Sequence, residues 1–148
     1  MNRHFIFEEG FWLGKGEIEF SMLPGKLNFY MRWRLRRDKD KIESIQEIEI
    51  EGGAESLENK IIFSAPQSGC FRVSLENAVM QRLEGSGVIE EDSVAWEFKG
   101  NEELLEGFEV YRRQDEGYIM KAEYVSPDQV KTTICGKIWR QQEEKDDY

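Results

Sequence analysis

A chain of 148 residues, 39% hydrophobic and 34% charged, is read as one globular domain spanning 1–148. It is long enough to bury roughly two thirds of its unfolded surface and too apolar for intrinsic disorder. With 30 acidic against 20 basic side chains the formal net charge is -10, which repels phosphate backbones and anionic lipid surfaces and sets nucleic acid and membranes aside as partners.

In chain order, residues 2–9 are a lead-in, a short helix or turn closing one end of the fold. From Gly10 to Met22 the residues alternate: Trp12, Gly14, Gly16, Ile18, Phe20 and Met22 share one face, and Leu13, Lys15, Glu17, Glu19 and Ser21 the other. That period of two marks a half-buried strand, and glycine on its apolar face marks a sharp bend or a close backbone approach. Leu23-Pro24-Gly25 is a turn, with Pro presetting φ and Gly permitting positive φ. Residues 26–37 alternate again, with Leu27, Phe29, Met31, Trp33 and Leu35 opposite Asn28, Tyr30, Arg32, Arg34 and Arg36. After the Asp38-Lys39-Asp40 turn, residues 41–51 form a strand rich in isoleucine. The slip between Ile42 and Ile45 predicts a bulge in it.

Short strands follow at Ile61-Ile62-Phe63, at 70–76 with Phe71, Val73 and Leu75 in phase, and within 78–91, divided by Gly85-Ser86-Gly87. Another carries Val94, Trp96 and Phe98. Residues 102–106 are read as a single helical turn. Between 107 and 114 the alternation sets Phe108, Val110 and Arg112, read as facing inward, against Glu109, Tyr111 and Arg113. Asp115-Glu116-Gly117 is a hairpin loop, after which Tyr118, Met120, Ala122 and Tyr124 share a face. The last strand covers 130–140, with Thr132, Ile134, Gly136, Ile138 and Arg140 in phase, and 141–148 is a charged tail. Roughly 9–11 short strands with turn signals every 8–12 residues, and short links throughout, predict an all-β fold. The architecture expected is a single up-and-down antiparallel β-barrel closed on itself.

Gly10-Phe11-Trp12 resembles the G-x-W that opens the first strand of the calycins, the barrels that include lipocalins and fatty-acid-binding proteins. Trp12-x-Gly14-x-Gly16 is similar to the nitrobindin-type haem-binding barrels. The resemblance implies a lipocalin-like barrel in which Gly10 and Trp12 are structural and the indole packs under a basic residue of the last strand, here Arg140 first and Lys137 second. A cation over an indole face is worth about 0.5–2 kcal/mol. The haem of the nitrobindin type does not carry over, because those barrels use a histidine on the last strands and the single histidine here is His4.

Other chemistry is limited by the same counts. One histidine gives no base for a serine or cysteine nucleophile. Cys70 and Cys135 are the two cysteines, and they stand far apart without metal-ligand spacing. They are read as reduced thiols in or near the core, no metal or cofactor is expected, and catalysis is not favoured. The first nine residues turn acidic too soon for a secretory leader, and no stretch approaches the roughly 18 apolar residues of a spanning helix, so a cytoplasmic protein is expected. The function this favours is binding of a small hydrophobic or amphipathic molecule, anionic ones included, inside the barrel. Candidate ligand residues are Arg112, Tyr118 and Tyr124 as polar anchors and Trp33, Trp96, Phe98 and Met120 as apolar lining. Two alternatives stand beside it. One is an interaction module with a filled barrel and a protein partner, for which the basic run Arg32–Arg37 offers a docking face. The other is a metal-free barrel isomerase or lyase, which requires a carboxyl or tyrosine inside with a shifted pKa. A monomer or weak dimer is expected.

Overall fold

Period-two alternation pairs strands through their backbones and sends every second side chain to one face, so a run of such strands with short links rolls up once its edges meet. The computed structural model, which describes residues 3–53, 55–79, 81–100 and 105–142, shows that outcome. Ten strands follow a 3-10 turn at Phe5–Phe7: β1 (Gly10–Phe20), β2 (Leu27–Asp38), β3 (Lys41–Ile50), β4 (Leu57–Phe63), β5 (Cys70–Asn77), β6 (Leu83–Ile89), β7 (Ser93–Phe98), β8 (Glu106–Gln114), β9 (Gly117–Val125) and β10 (Lys131–Arg140). Each pairs antiparallel with its sequence neighbour, and β1 pairs with β10 to close the barrel. Of the helical turn expected at 102–106, residues 102–104 lie outside the described residues, while Leu105 is not helical and Glu106 already opens β8; the tail beyond 142 also lies outside them.

The closing seam explains the glycines of β1. A Cβ on Gly16 would stand 2.1 Å from the Cys135 carbonyl oxygen and 2.5 Å from the Gly136 Cα. Gly136, its partner in register, is crowded in return by the Lys15 carbonyl at 2.4 Å. Close backbone approach, one of the two causes expected, is the operative one here.

One half of the interior is packed solid. Trp33, Phe63, Trp96 and Tyr111 are almost wholly buried, with Trp96 and Tyr111 stacked at 5.1 Å. The Trp33 indole donates to Ser44 Oγ at 3.0 Å, and Ser44 donates onward to the Ile61 carbonyl at 2.7 Å, so neither buried polar group is orphaned. The lead-in caps this end, as expected: Phe5, Ile6 and Phe7 are buried, and Phe5 packs on Trp12, Trp33, Tyr111 and Tyr118.

His4 pins the cap. The Tyr118 hydroxyl lies 2.9 Å from Nδ1, and Nε2 lies 2.7 Å from the Glu90 carbonyl. Because Tyr118 Oη already accepts from the Phe5 backbone N–H and from Arg113, it serves as donor to Nδ1, which fixes a neutral imidazole. Burial above all, with the Arg113 charge adding to it, lowers the His4 pKa below 6.5, although the Glu90 carbonyl and Asp92 pull upward. A depressed histidine means that the unfolded chain takes up the proton first. The stabilisation is therefore complete above pH 6.5 and is lost as pH falls through that value toward the folded pKa. His4→Ala should cost about 1–3 kcal/mol at pH 7.5 by leaving Tyr118 without its acceptor. Urea midpoints of the two proteins from pH 7.5 to 5 should converge as the pH falls.

Four expectations are corrected. Met22 is 72% exposed in the β1–β2 turn rather than inward. β3 carries no bulge: its register runs unbroken from Lys41 to Ile50 against β2, and the inward places are taken by polar Ser44 and Gln46, leaving Ile45 outside. Cys70 and Cys135 are both exposed free thiols, because Phe71 takes the inward phase of β5, and Ile134 and Gly136 that of β10. Trp12 and Arg140 stand close, but no cation–π contact is formed between them. The two are register partners, but the indole contacts Phe5 and Tyr118, and the exposed Arg140 extends to within 3.5 Å of the Glu9 carbonyl. Gly10 makes room for both, since its Cβ would meet Trp12 Nε1 at 3.3 Å and Arg140 Cζ at 3.4 Å.

The basic run is locally engaged. Arg32 pairs with Glu47 and Glu49 at 3.3 Å each, Arg34 lies over the Phe11 ring, and Arg37 donates to the Phe7 carbonyl at 2.9 Å, tying β2 to the cap. Among the described residues no helix is long and apolar enough to cross a membrane.

Candidate ligand cavity in the open half of the barrel

The cap lies where β2 ends and β3 begins. At the other end, formed by the ends of β1, β3 and β9 and the starts of β2, β4, β8 and β10, the interior holds a cavity of about 260 Å³. Its wall is mainly apolar: Ile18, Phe20, Phe29, Met31, Ile48, Ile50, Leu57, Ile61, Leu75, Leu105, Met120 and Ile134. A groove of about 370 Å³ on the outer face of β1–β3 is lined by Lys15, Arg32, Glu47 and Glu49, of which Arg32 pairs with both glutamates.

Among the described residues one carboxyl group projects into the inner wall, Glu109 of β8. The Tyr111 hydroxyl donates to Oε1 at 2.6 Å, and the Tyr124 hydroxyl donates to Oε2. Gly107 makes this possible, for a Cβ there would stand 2.2 Å from the ring of Tyr124, its register partner. Burial raises the Glu109 pKa above 4.5, and the two tyrosine bonds only partly counter it. Burial, and then the Glu109 charge, push both tyrosines well above 10. A carboxyl raised on folding contributes stability that is complete below pH 4.5 and lost as pH rises through the folded pKa. Glu109→Gln should therefore melt above the wild type at pH 8, with the gap closing as the pH is lowered toward 4.5 in thermal scans.

A second polar feature runs along the facing wall. Asn77 donates to Asn59 at 2.9 Å, and Asn59 donates to Gln46 Oε1 at 2.9 Å. Gln46, 4% exposed, offers its own amide to the Met31 sulfur at 3.7 Å, its one acceptor among the described residues.

The structure brings together Tyr124 and Met120 of the residues expected from sequence, both in the cavity wall. Trp33, Trp96 and Phe98 are inward but belong to the packed core, and Tyr118 belongs to the cap. Arg112 is exposed on the outer face, opposite Ser93 and Ile119, so β8 presents the opposite face from the one expected. Its phase is set by the β8–β9 hairpin: a two-residue loop pairs Gln114 with Gly117, which puts Tyr111 beside Met120 and Glu109 beside Ala122. Directly opposed residues share a face. Linking β8 to the well-marked face of β9 through that loop was the signal that identifies Glu109, whereas counting apolar residues in β8 alone favoured Phe108 and Val110. Gln46 and Asn59 carried no such signal, since polar residues at inward phases read as slips.

Among the described residues no three His, Cys, Asp or Glu side chains converge as metal ligands. Both nitrogens of His4 are engaged in the cap, and among the described residues of the cavity wall there is no imidazole or thiol.

No protein-family model matches the chain, and no curated protein matches it. Among solved structures it is similar to the crystal structure of Rv2717c from M. tuberculosis, with a TM-score of 0.71 at 11% identity over 90% of this chain and 92% of that one. The likeness is one of fold.

Proposed function

We propose that the protein binds a small, mainly apolar molecule in the open half of the barrel, with Glu109 and Tyr124 fixing its polar group. The observation that carries this reading is the cavity itself: an apolar wall around the inward carboxyl of Glu109, in a barrel whose other half is filled. Cavities of this kind gain affinity from apolar burial and specificity from a few placed polar groups. With Arg112 outside and Glu109 inside, an anionic head is disfavoured, since two like charges in a low-dielectric cavity repel. N-phenyl-1-naphthylamine, a neutral fluorophore, should bind saturably at one site per chain and be displaced by 1-decanol. A linear, non-saturating response would count against the reading.

A second reading has one observation in its favour. A metal-free isomerase or lyase requires a carboxyl with a shifted pKa in an apolar site, and Glu109 has that character. Activity of this kind would show as Glu109-dependent exchange of solvent deuterium into a bound carbon acid.

A further inference from the structure

Glu109 and Gln46 line the same cavity from opposite walls. In the ring order, β8 and β3 are separated by β9, β10, β1 and β2 on one side and by β4, β5, β6 and β7 on the other, which places them across the barrel from each other. Their hydrogen-bonding characters are opposite as well. An ionised carboxylate only accepts. Each Glu109 oxygen takes one tyrosine hydroxyl, which leaves lone pairs for a donor arriving from the cavity.

The polarity of the Gln46 wall is set outside the cavity. The Val79 backbone N–H, which can only donate, bonds to Asn77 Oδ1 at 2.9 Å. Asn77 must then present its NH2 to Asn59, Asn59 its NH2 to Gln46 Oε1, and Gln46 its NH2 inward. The relay thus ends in a deeply buried amide donor whose one partner among the described residues is a thioether, a weak acceptor. A buried N–H so poorly matched gains more from a true acceptor than a solvated one does.

Resting on the reading of the cavity as a ligand site, we propose that it selects a two-ended ligand. One end is a hydrogen-bond donor (hydroxyl, N–H or ammonium) held by Glu109. The other is a carbonyl-type acceptor held by the Gln46 amide, and the body between them is apolar. Carboxylates are rejected at the Glu109 end by charge, and ligands without an acceptor leave the Gln46 amide against sulfur.

Three rigid naphthalenes of matched size test this on the wild-type protein: 6-acetyl-2-naphthol with both groups, 6-acetyl-2-methoxynaphthalene without the donor, and 6-ethyl-2-naphthol without the acceptor. Calorimetric titration should find the first tighter than each of the others by about tenfold. In Gln46→Met the advantage over the ethyl compound should vanish while the advantage over the methoxy compound persists, and Glu109→Leu should show the reverse. Equal affinity of the three for the wild type overturns the two-ended ligand while leaving apolar binding intact. Failure of all three overturns it too, and the N-phenyl-1-naphthylamine titration then shows whether the cavity reading falls with it. The wild-type ranking does not depend on either variant folding.

Discussion

Gly16→Val should destabilise the barrel by about 3 kcal/mol or more, with a fall in Tm on the order of 10 °C. The added side chain must occupy space within 2.1 Å of a backbone carbonyl in β10, and neither strand can withdraw without breaking the β1–β10 pairing that closes the ring. Backbone atoms do not rotate aside as a side-chain tip does, so the strain is relieved only by opening the seam. Lys15→Val is the matched control, one residue away on the exposed face, where substitutions usually stay within about 0.5 kcal/mol. Differential scanning calorimetry of the two variants checks the contrast, and similar melting points would show that the seam is looser than described.

Filling the cavity should abolish ligand capture without unfolding the protein. Thr132 and Ile134 lie in the cavity wall on β10 and are only partly buried. Thr132→Trp and Ile134→Trp place an indole in the space a ligand would use, and the cavity can receive it more readily than the packed half could. Each should weaken N-phenyl-1-naphthylamine by more than about tenfold, a loss above 1.4 kcal/mol. Phe63→Leu, in the filled half, should lower stability while leaving the affinity near that of the wild type. If the three variants weaken the fluorophore equally, it is not occupying the open half.

The barrel was legible in the sequence because its dominant signals are local. Alternation in β1, β2, β7 and β9 is strong, the turns carry Gly, Pro or Asp, and the small residues of β1 lie on its apolar face, where a seam needs them. The cap was legible as a lead-in, but its pin was not: His4 meets Tyr118 across 114 residues of sequence. The site was legible only in part. Tyr124 and Met120 lie on a strand whose phase is unmistakable, while Glu109 lies on β8, where apolar Phe108 and Val110 compete for the inward face and lose because the hairpin register decides. Gln46 and Asn59 were missed for a related reason. An inward amide breaks the apolar pattern that reveals a strand, and its partners come from different strands, so it becomes intelligible only when β3, β4 and β5 are placed side by side. A barrel announces its wall through periodicity, whereas its contents are set by register.

The ligand we propose sits in the open half of the barrel, and not in its filled half or its outer grooves. Methyl-resolved NMR during titration with naphthalene distinguishes these places. Saturable shifts are expected at the methyl groups of Ile18, Met31, Ile48, Ile61, Met120 and Ile134, which line the cavity, with Ile6, Ile42 and Ile138 of the filled half left in place. Shifts confined to Ile45 and Ile119 on the outer face, or no shifts at saturating ligand, would contradict it.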